Sequence, residues 1–169
     1  MAESMRALTV KQPWAFGICN GKDVENRSWQ PPVWLGPLAI HAGARSGWDP
    51  AGELSPLITR AFCGRFGAGK AAHLNRRTEE MPFSAIVAVA EVRTCHHDGS
   101  CYLFPKFDEE SGRCSPWAVS DEWHWQLSDV RVLAHPVPCK GMLGLWRLPE
   151  DVEKAVREQL AEPASPPGA

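Results

Sequence analysis

The run Phe83–Thr94 constrains this chain more than any other stretch. In an extended backbone, successive side chains point to opposite faces. That puts Phe83, Ala85, Val87, Val89 and Glu91 on one side and Ile86, Ala88, Ala90 and Val92 on the other. A strand apolar on both faces is covered on both, so it belongs in the middle of a sheet or in the wall of a barrel. Glu91 is the exception. A carboxylate on an otherwise apolar face is a candidate site residue; the alternative is that the strand has reached solvent by that position.

The remaining elements are short, as expected of a chain with fifteen prolines and fourteen glycines. Arg6–Val10 reads as a strand. Gln12-Pro13-Trp14 opens a helix, with proline suited to the first helical position, and Gly21 closes it. Val24–Trp29 is a second strand, ended by Pro31 and Pro32. Pro37–Ala42 is a buried strand. A helix is expected from Asp49-Pro50 to about Phe62, with Pro56 either splitting it or moving its start. Strands follow at Trp123–Leu127, Val130–Leu133 and Leu143–Leu148. Glu150–Ala161 is an amphipathic helix carrying Val152, Val156 and Leu160 at four-residue spacing. Pro163–Ala169 has the composition of a frayed tail. The expected fold is a small α+β domain: a β-barrel of about six strands flanked by two to four helices. It occupies residues 1–148, with the terminal helix and tail at 149–169. A length of 169 residues suits one domain with its own core.

The densest chemistry lies in Lys11-Gln12-Pro13-Trp14 and in the stretch from Asn20 to Trp29. If residues 22–27 are extended, Lys22 and Asn26 share one face, and Asp23, Glu25 and Arg27 the other. Glu25 and Arg27 can then pair. A long cation, an acid and flat aromatic faces are what a pocket needs to hold a nucleobase. Trp14 or Trp29 would stack on it. Lys22 and Arg27 would neutralise phosphate or hydrogen-bond the base. Glu25 would accept from an exocyclic amine, and Gln12 could read an edge. The plainer reading is a solvated strand with ordinary salt bridges.

A net charge of -2 argues against a nonspecific nucleic-acid coat. The balance is uneven, however. Leu54–Thr78 contains no acid and carries Arg60, Arg65, Lys70, Arg76 and Arg77, a surface that would track a phosphate backbone or simply remain a solvated loop. No apolar run is long enough for a membrane helix, so no membrane partner is expected. Met1-Ala2-Glu3-Ser4 lacks the features of a secretory signal. A cytoplasmic location is therefore expected, where six cysteines are thiols or metal ligands rather than disulfides.

Residues 95–122 read as an insertion rich in Cys, His, Asp and Gly. Cys95, His97, Cys101 and Cys114 would supply a structural zinc site. Neither cysteine pair has the C-x-x-C spacing, so the preferred reading is that no cofactor is needed and no metal is assigned. His124, between two tryptophans, reads as a core or rim residue.

Taken together, these motifs resemble the ASCH domain, a PUA-like family, in its bacterial and phage form. The resemblance runs from residue 5 to about 148. Lys22, Glu25 and Arg27 match the family motif G-x-K-x-x-E-x-R, with Asn20 at the first glycine position and Gly21 beside it. Lys11-Gln12-Pro13-Trp14, Ile40-His41-Ala42, Trp123-His124-Trp125 and Pro138-Cys139-Lys140-Gly141 also look like the family. The resemblance implies a β-barrel with a cleft beside the first helix that binds RNA or a nucleoside with a modified base. It makes Lys22, Glu25 and Glu91 the candidate catalytic residues and Gln12, Trp14, Arg27, Trp29 and His41 the candidate ligand-binding ones. Binding is the first reading. Hydrolysis, by an amidohydrolase acting on an N4-acetylcytidine-type nucleoside or by a ribonuclease, is the alternative. Deacetylating members use a lysine, a threonine three residues later and a glutamate on a later strand. Lys22 and Glu91 match two of these, while Glu25 stands in the threonine position. A hydroxyl can attack an amide carbon; a carboxylate instead activates water. His41 or His124 would be a further acid.

Overall fold

The computed structural model describes residues 4–31, 36–46, 55–71 and 81–161. Strand β1 (Arg6–Gln12) leads into helix α1 (Trp14–Cys19) and strand β2 (Val24–Arg27). Then come β3 (Gly36–Ser46), α2 (Pro56–Phe66), the short α3 (Ala68–Ala71), β4 (Ala85–His97) and a 3₁₀ helix at Asp98–Leu103. The chain continues with β5 (Trp123–Pro138), β6 (Leu145–Arg147) and α4 (Glu150–Ala161). One mixed sheet of six strands results, in the order β2-β5-β4-β3-β1-β6. Among the described residues only β1 and β3 run parallel, and a parallel pair needs a crossover between its strands, supplied here by α1 and β2. The fold is α+β with six strands and four α-helices among the described residues. The sheet is not strictly closed: among the described residues its hydrogen-bonded ladder ends at β2 on one side and β6 on the other.

β4 is central and covered on both faces, as its sequence requires. On one side Leu8, Val10, Ile40, Ala90, Val92 and Trp125 pack with Ile18 of α1. On the other, Ala7, Ala39, Ile86, Val89 and Trp146 pack with Val152 and Val156 of α4. Each of the large side chains among them contributes about 1.5–3 kcal/mol by leaving water. The strict alternation expected along β4 fails at Ile86 and Val87: Val87 joins Ala88 on the α1 side, and Ile86 lies with Val89 on the α4 side. The pairing of β4 with β5 slips between Ile86 and Ala88, and such an irregularity re-aims the side chains beside it.

Pro56 does not split a helix; it sits in the first turn of α2, where its missing N–H removes no hydrogen bond. The earlier start expected at Asp49-Pro50 lies outside the described residues, as do Arg76, Arg77 and the tail Pro163–Ala169. Ile58 and Phe62 of α2 pack on Phe16 of α1, with the two phenyl rings 4.4 Å apart. β5 is continuous where the sequence suggests two strands. The join lies at Asp129, whose φ of 48° is unusual for a non-glycine residue. No helix among the described residues is long and apolar enough to cross a membrane.

Candidate functional site

Lys22 lies in the turn before β2, so strand alternation does not govern it. The turn is closed by the Lys22 amide, which donates to the Gly17 carbonyl at 2.8 Å. The ammonium donates to the Val24 carbonyl at 2.5 Å and to Oε2 of Glu25. Oε1 of the same carboxylate lies 3.0 Å from Nη2 of Arg27. Arg27 Nη2 also donates to the Thr9 carbonyl on β1 at 2.9 Å. One carboxylate thus serves two cations, and the trio carries one excess positive charge. Lys22 is only 3% exposed and Glu25 6%, so the carboxylate and the ammonium are held out of water and depend on each other. The expected pairing of Glu25 with Arg27 is present. Asn26 reaches the insertion, donating to the Trp117 carbonyl at 2.9 Å and accepting from the Val119 amide at 3.0 Å.

Lys22 and Glu25 border a cavity of about 500 Å³, lined also by Trp14, Asn26, Leu57, Arg113, Trp117 and Glu122. That volume lies within the range of small-molecule sites. Trp14 and Trp117 are both half-buried, and both residues belong to the lining. Glu122 supplies a buried Oε2 with no hydrogen-bond partner among the described residues. The insertion therefore builds one wall of the cavity. Trp117, Arg113 and Glu122 escaped the sequence reading because their segment has no periodicity to orient them.

The other candidate residues are placed elsewhere. Gln12 lines a separate cavity of about 430 Å³. Its side chain accepts from the Phe16 amide at 2.9 Å and donates to the Pro82 carbonyl at 3.0 Å, tying α1 to the start of β4. Trp29 meets Trp125 edge-on at 5.1 Å. His41 is buried against Trp146 at 5.7 Å, and its Nε2 donates to the Cys139 carbonyl at 3.0 Å. Burial holds the His41 pKa below its usual value, with the Cys139 carbonyl opposing. Glu91 sits half-buried on β4 between Pro37 and Ser128. None of these four lines the Lys22 cavity. Arg27 stands behind Glu25 rather than in the lining. Of the basic segment, Arg60 and Arg65 of α2 border a third cavity, of about 390 Å³, which shares Trp117 and Leu57 with the Lys22 cavity.

A second constellation lies under the insertion. His96, Cys101, Cys114 and His124 are all buried, and one donor atom from each falls within 4.8 Å of the others. Nδ1 of His124 is 3.3 Å from Sγ of Cys101 and 3.4 Å from Sγ of Cys114. Nε2 of His96 is 3.5 Å from Sγ of Cys101. Such a set could hold a metal ion. The set differs from the one expected from sequence: Cys101 and Cys114 belong to it, Cys95 and His97 do not. β4 extends to His97 and pairs His96 with His124 across to β5. Alternation then sends Cys95 and His97 to the opposite face, where His97 meets Trp123 edge-on. Burial pushes the Cys114 thiol up to about 12, with Cys101 adding to the effect. Burial, aided by His124, draws His96 down to about 4.

No protein-family model matches the chain, and no curated protein does. Among solved structures, the chain is similar to an ASCH protein from Zymomonas mobilis. The identity is 11%, the TM-score is 0.49, and the match covers 92% of this chain and 94% of that one. A tyrosine-to-phenylalanine mutant of the Zymomonas mobilis protein matches with the same identity and TM-score, over 92% of this chain and 98% of that one.

Proposed function

We propose that this chain binds single-stranded RNA or a nucleoside by taking one nucleobase, plain or modified, into the Lys22 cavity. The observation that carries the reading is the excess positive charge of Lys22, Glu25 and Arg27 at a cavity lined by two tryptophans. Trp14 and Trp117 offer flat apolar faces for a base, and stacking of this kind contributes about 1–3 kcal/mol per base. An ammonium has three donors. Two of those on Lys22 are used within the protein, and the third is available to a base carbonyl or a phosphate. The carboxylate of Glu122, in the same lining, suits an exocyclic amine, as carboxylates accept from cytosine N4. A base that carries an amine beside a carbonyl, cytosine or guanine, fits this donor and acceptor pair. Arg60 and Arg65 would take the neighbouring phosphates.

Fluorescence anisotropy with short single-stranded RNAs, one rich in each base, tests the reading. Saturable binding that prefers C- or G-rich strands, weakened in Trp117→Ala and in Glu122→Gln, is the expected result. Equal affinities for the wild type and both variants would overturn it.

Hydrolysis is the second reading, and one observation favours it. Both Glu25 oxygens are engaged by cations and Glu91 does not line the cavity, which leaves Glu122, in the lining, as the carboxylate to activate water. Incubation with acylated nucleosides and a short RNA, read by mass spectrometry, separates the two. Product from the wild type that is lost in Glu122→Gln would make the chain an enzyme.

A further inference from the structure

We propose that His96, Cys101, Cys114 and His124 form a closed tetrahedral site for one structural zinc ion. The argument rests on distances. With Zn–S bonds of about 2.3 Å and Zn–N bonds of about 2.0–2.1 Å, a tetrahedron places sulfur and nitrogen about 3.6 Å apart. Three of the four S···N separations in the cluster are 3.3, 3.4 and 3.5 Å, and all four donor atoms lie within 4.8 Å of one another. Two thiolates and two imidazoles are the donor set that selects zinc among common divalent ions. Four protein donors leave no open position, which makes the site structural rather than catalytic.

The histidine tautomer agrees. Nε2 of His124 lies 2.7 Å from the Val119 carbonyl. A carbonyl can only accept, so Nε2 carries the proton and Nδ1 turns its lone pair to the two sulfurs. Fixing a ligand histidine through its other nitrogen is what outer-shell partners do in metal sites.

The ligands also come from the right places. His96 lies at the end of β4, His124 at the start of β5, Cys101 on the 3₁₀ helix and Cys114 in the following loop. One ion would join both ends of the insertion to its middle. Cys101 and Cys114 pack with Val24 of β2 and Ala118 in a small core of their own. Ala118 and Val119 in turn line the Lys22 cavity. The ion would therefore hold that wall in place. The proposal stands whether or not the cavity takes a nucleobase.

The test is metal content of the full chain, expressed with added zinc and purified without chelator. About one zinc per chain is expected by elemental analysis, and cobalt exchanged into the site should give the intense near-ultraviolet thiolate band and the visible bands of a tetrahedral ion. Cys114→Ser and His124→Ala should lose the metal. Cys95→Ser and His97→Ala should keep it. Wild-type protein that binds neither zinc nor cobalt overturns the proposal, and needs no variant to fold. Loss of metal in Cys95→Ser with retention in Cys114→Ser overturns it equally.

Discussion

Arg27 on β2 donates to the carbonyl of Thr9 on β1 at 2.9 Å, although the two strands lie at separated positions in the sheet order. The guanidinium thus links two strands that no ladder pairs directly among the described residues. It does so while holding Oε1 of Glu25 at 3.0 Å. Architecture and site depend on the same side chain.

Arg27→Ala should therefore destabilise the fold. Glu25 keeps Lys22 as a partner, so the loss is that of hydrogen bonds to a charged group, about 1.5–3 kcal/mol, and the partial exposure of Arg27, 23%, places it toward the low end. Arg27→Lys should recover only part of it, because an ammonium cannot span Glu25 and Thr9 with the geometry of a planar fork. Urea unfolding of the three proteins measures both. An Arg27→Ala midpoint equal to wild type would show that the link is incidental.

Gly141 and Gly64 should respond in opposite directions to alanine. A Cβ at Gly141 would fall 2.5 Å from Cε1 of His41 and 2.9 Å from Oγ1 of Thr9. His41 is packed against Trp146 and has little room to move. Overpacking of this kind costs about 1–3 kcal/mol. A Cβ at Gly64, inside α2, meets nothing within 4 Å, and alanine there should add about 0.5–1 kcal/mol through helix propensity. Thermal melts of the two variants should move Tm down and up respectively.

His41 should make the protein less stable in mild acid. Burial lowers its folded pKa from the ordinary 6.5. Above pH 6.5 both folded and unfolded states are neutral at this position, and nothing is lost. Below it the unfolded chain binds a proton that the folded protein resists. Stability then falls by up to about 1.4 kcal/mol per pH unit until the folded pKa is reached. Unfolding free energies between about pH 7.5 and 5.5, a window that brackets the ordinary histidine pKa, should show this slope in the wild type and a flatter one in His41→Gln. Equal slopes would mean that His41 titrates alike in both states.

Much of this was legible before any coordinates, and the exceptions share one cause. The two-sided apolar pattern of Phe83–Thr94 marks the central strand because burial on both faces leaves a mark on every residue. The charge density of Lys22, Glu25 and Arg27 marks the ion-pair cluster because buried charges need partners. Alternation, however, speaks only where the backbone is extended. It misplaces Lys22, which lies in a turn. Conversely, ending the strand at Thr94 withholds it from Cys95, His96 and His97, where it applies and would have singled out His96. Trp117 and Glu122 lie beyond any periodic pattern. Their position is set by tertiary contacts of the insertion, such as the Ser115 hydroxyl on Asp23 at 2.6 Å and the Trp117 carbonyl on Asn26 at 2.9 Å.

Arg60 and Arg65 offer a test that separates phosphate contact from base recognition. Both border the cavity beside Trp117, and α2 carries no acid in its first turn to offset them. If they meet phosphates of a bound strand, each contact releases counterions. The slope of log affinity against log salt then drops by about 0.7 for each arginine removed. Arg60→Gln and Arg65→Gln should flatten that slope and weaken binding to every RNA alike, with the preference among bases unchanged. Trp117→Ala should do the reverse, losing affinity and base preference with the slope intact. Anisotropy titrations at a series of salt concentrations read both quantities from the same data. An unchanged slope in the double arginine variant would remove α2 from the interface and confine recognition to the base.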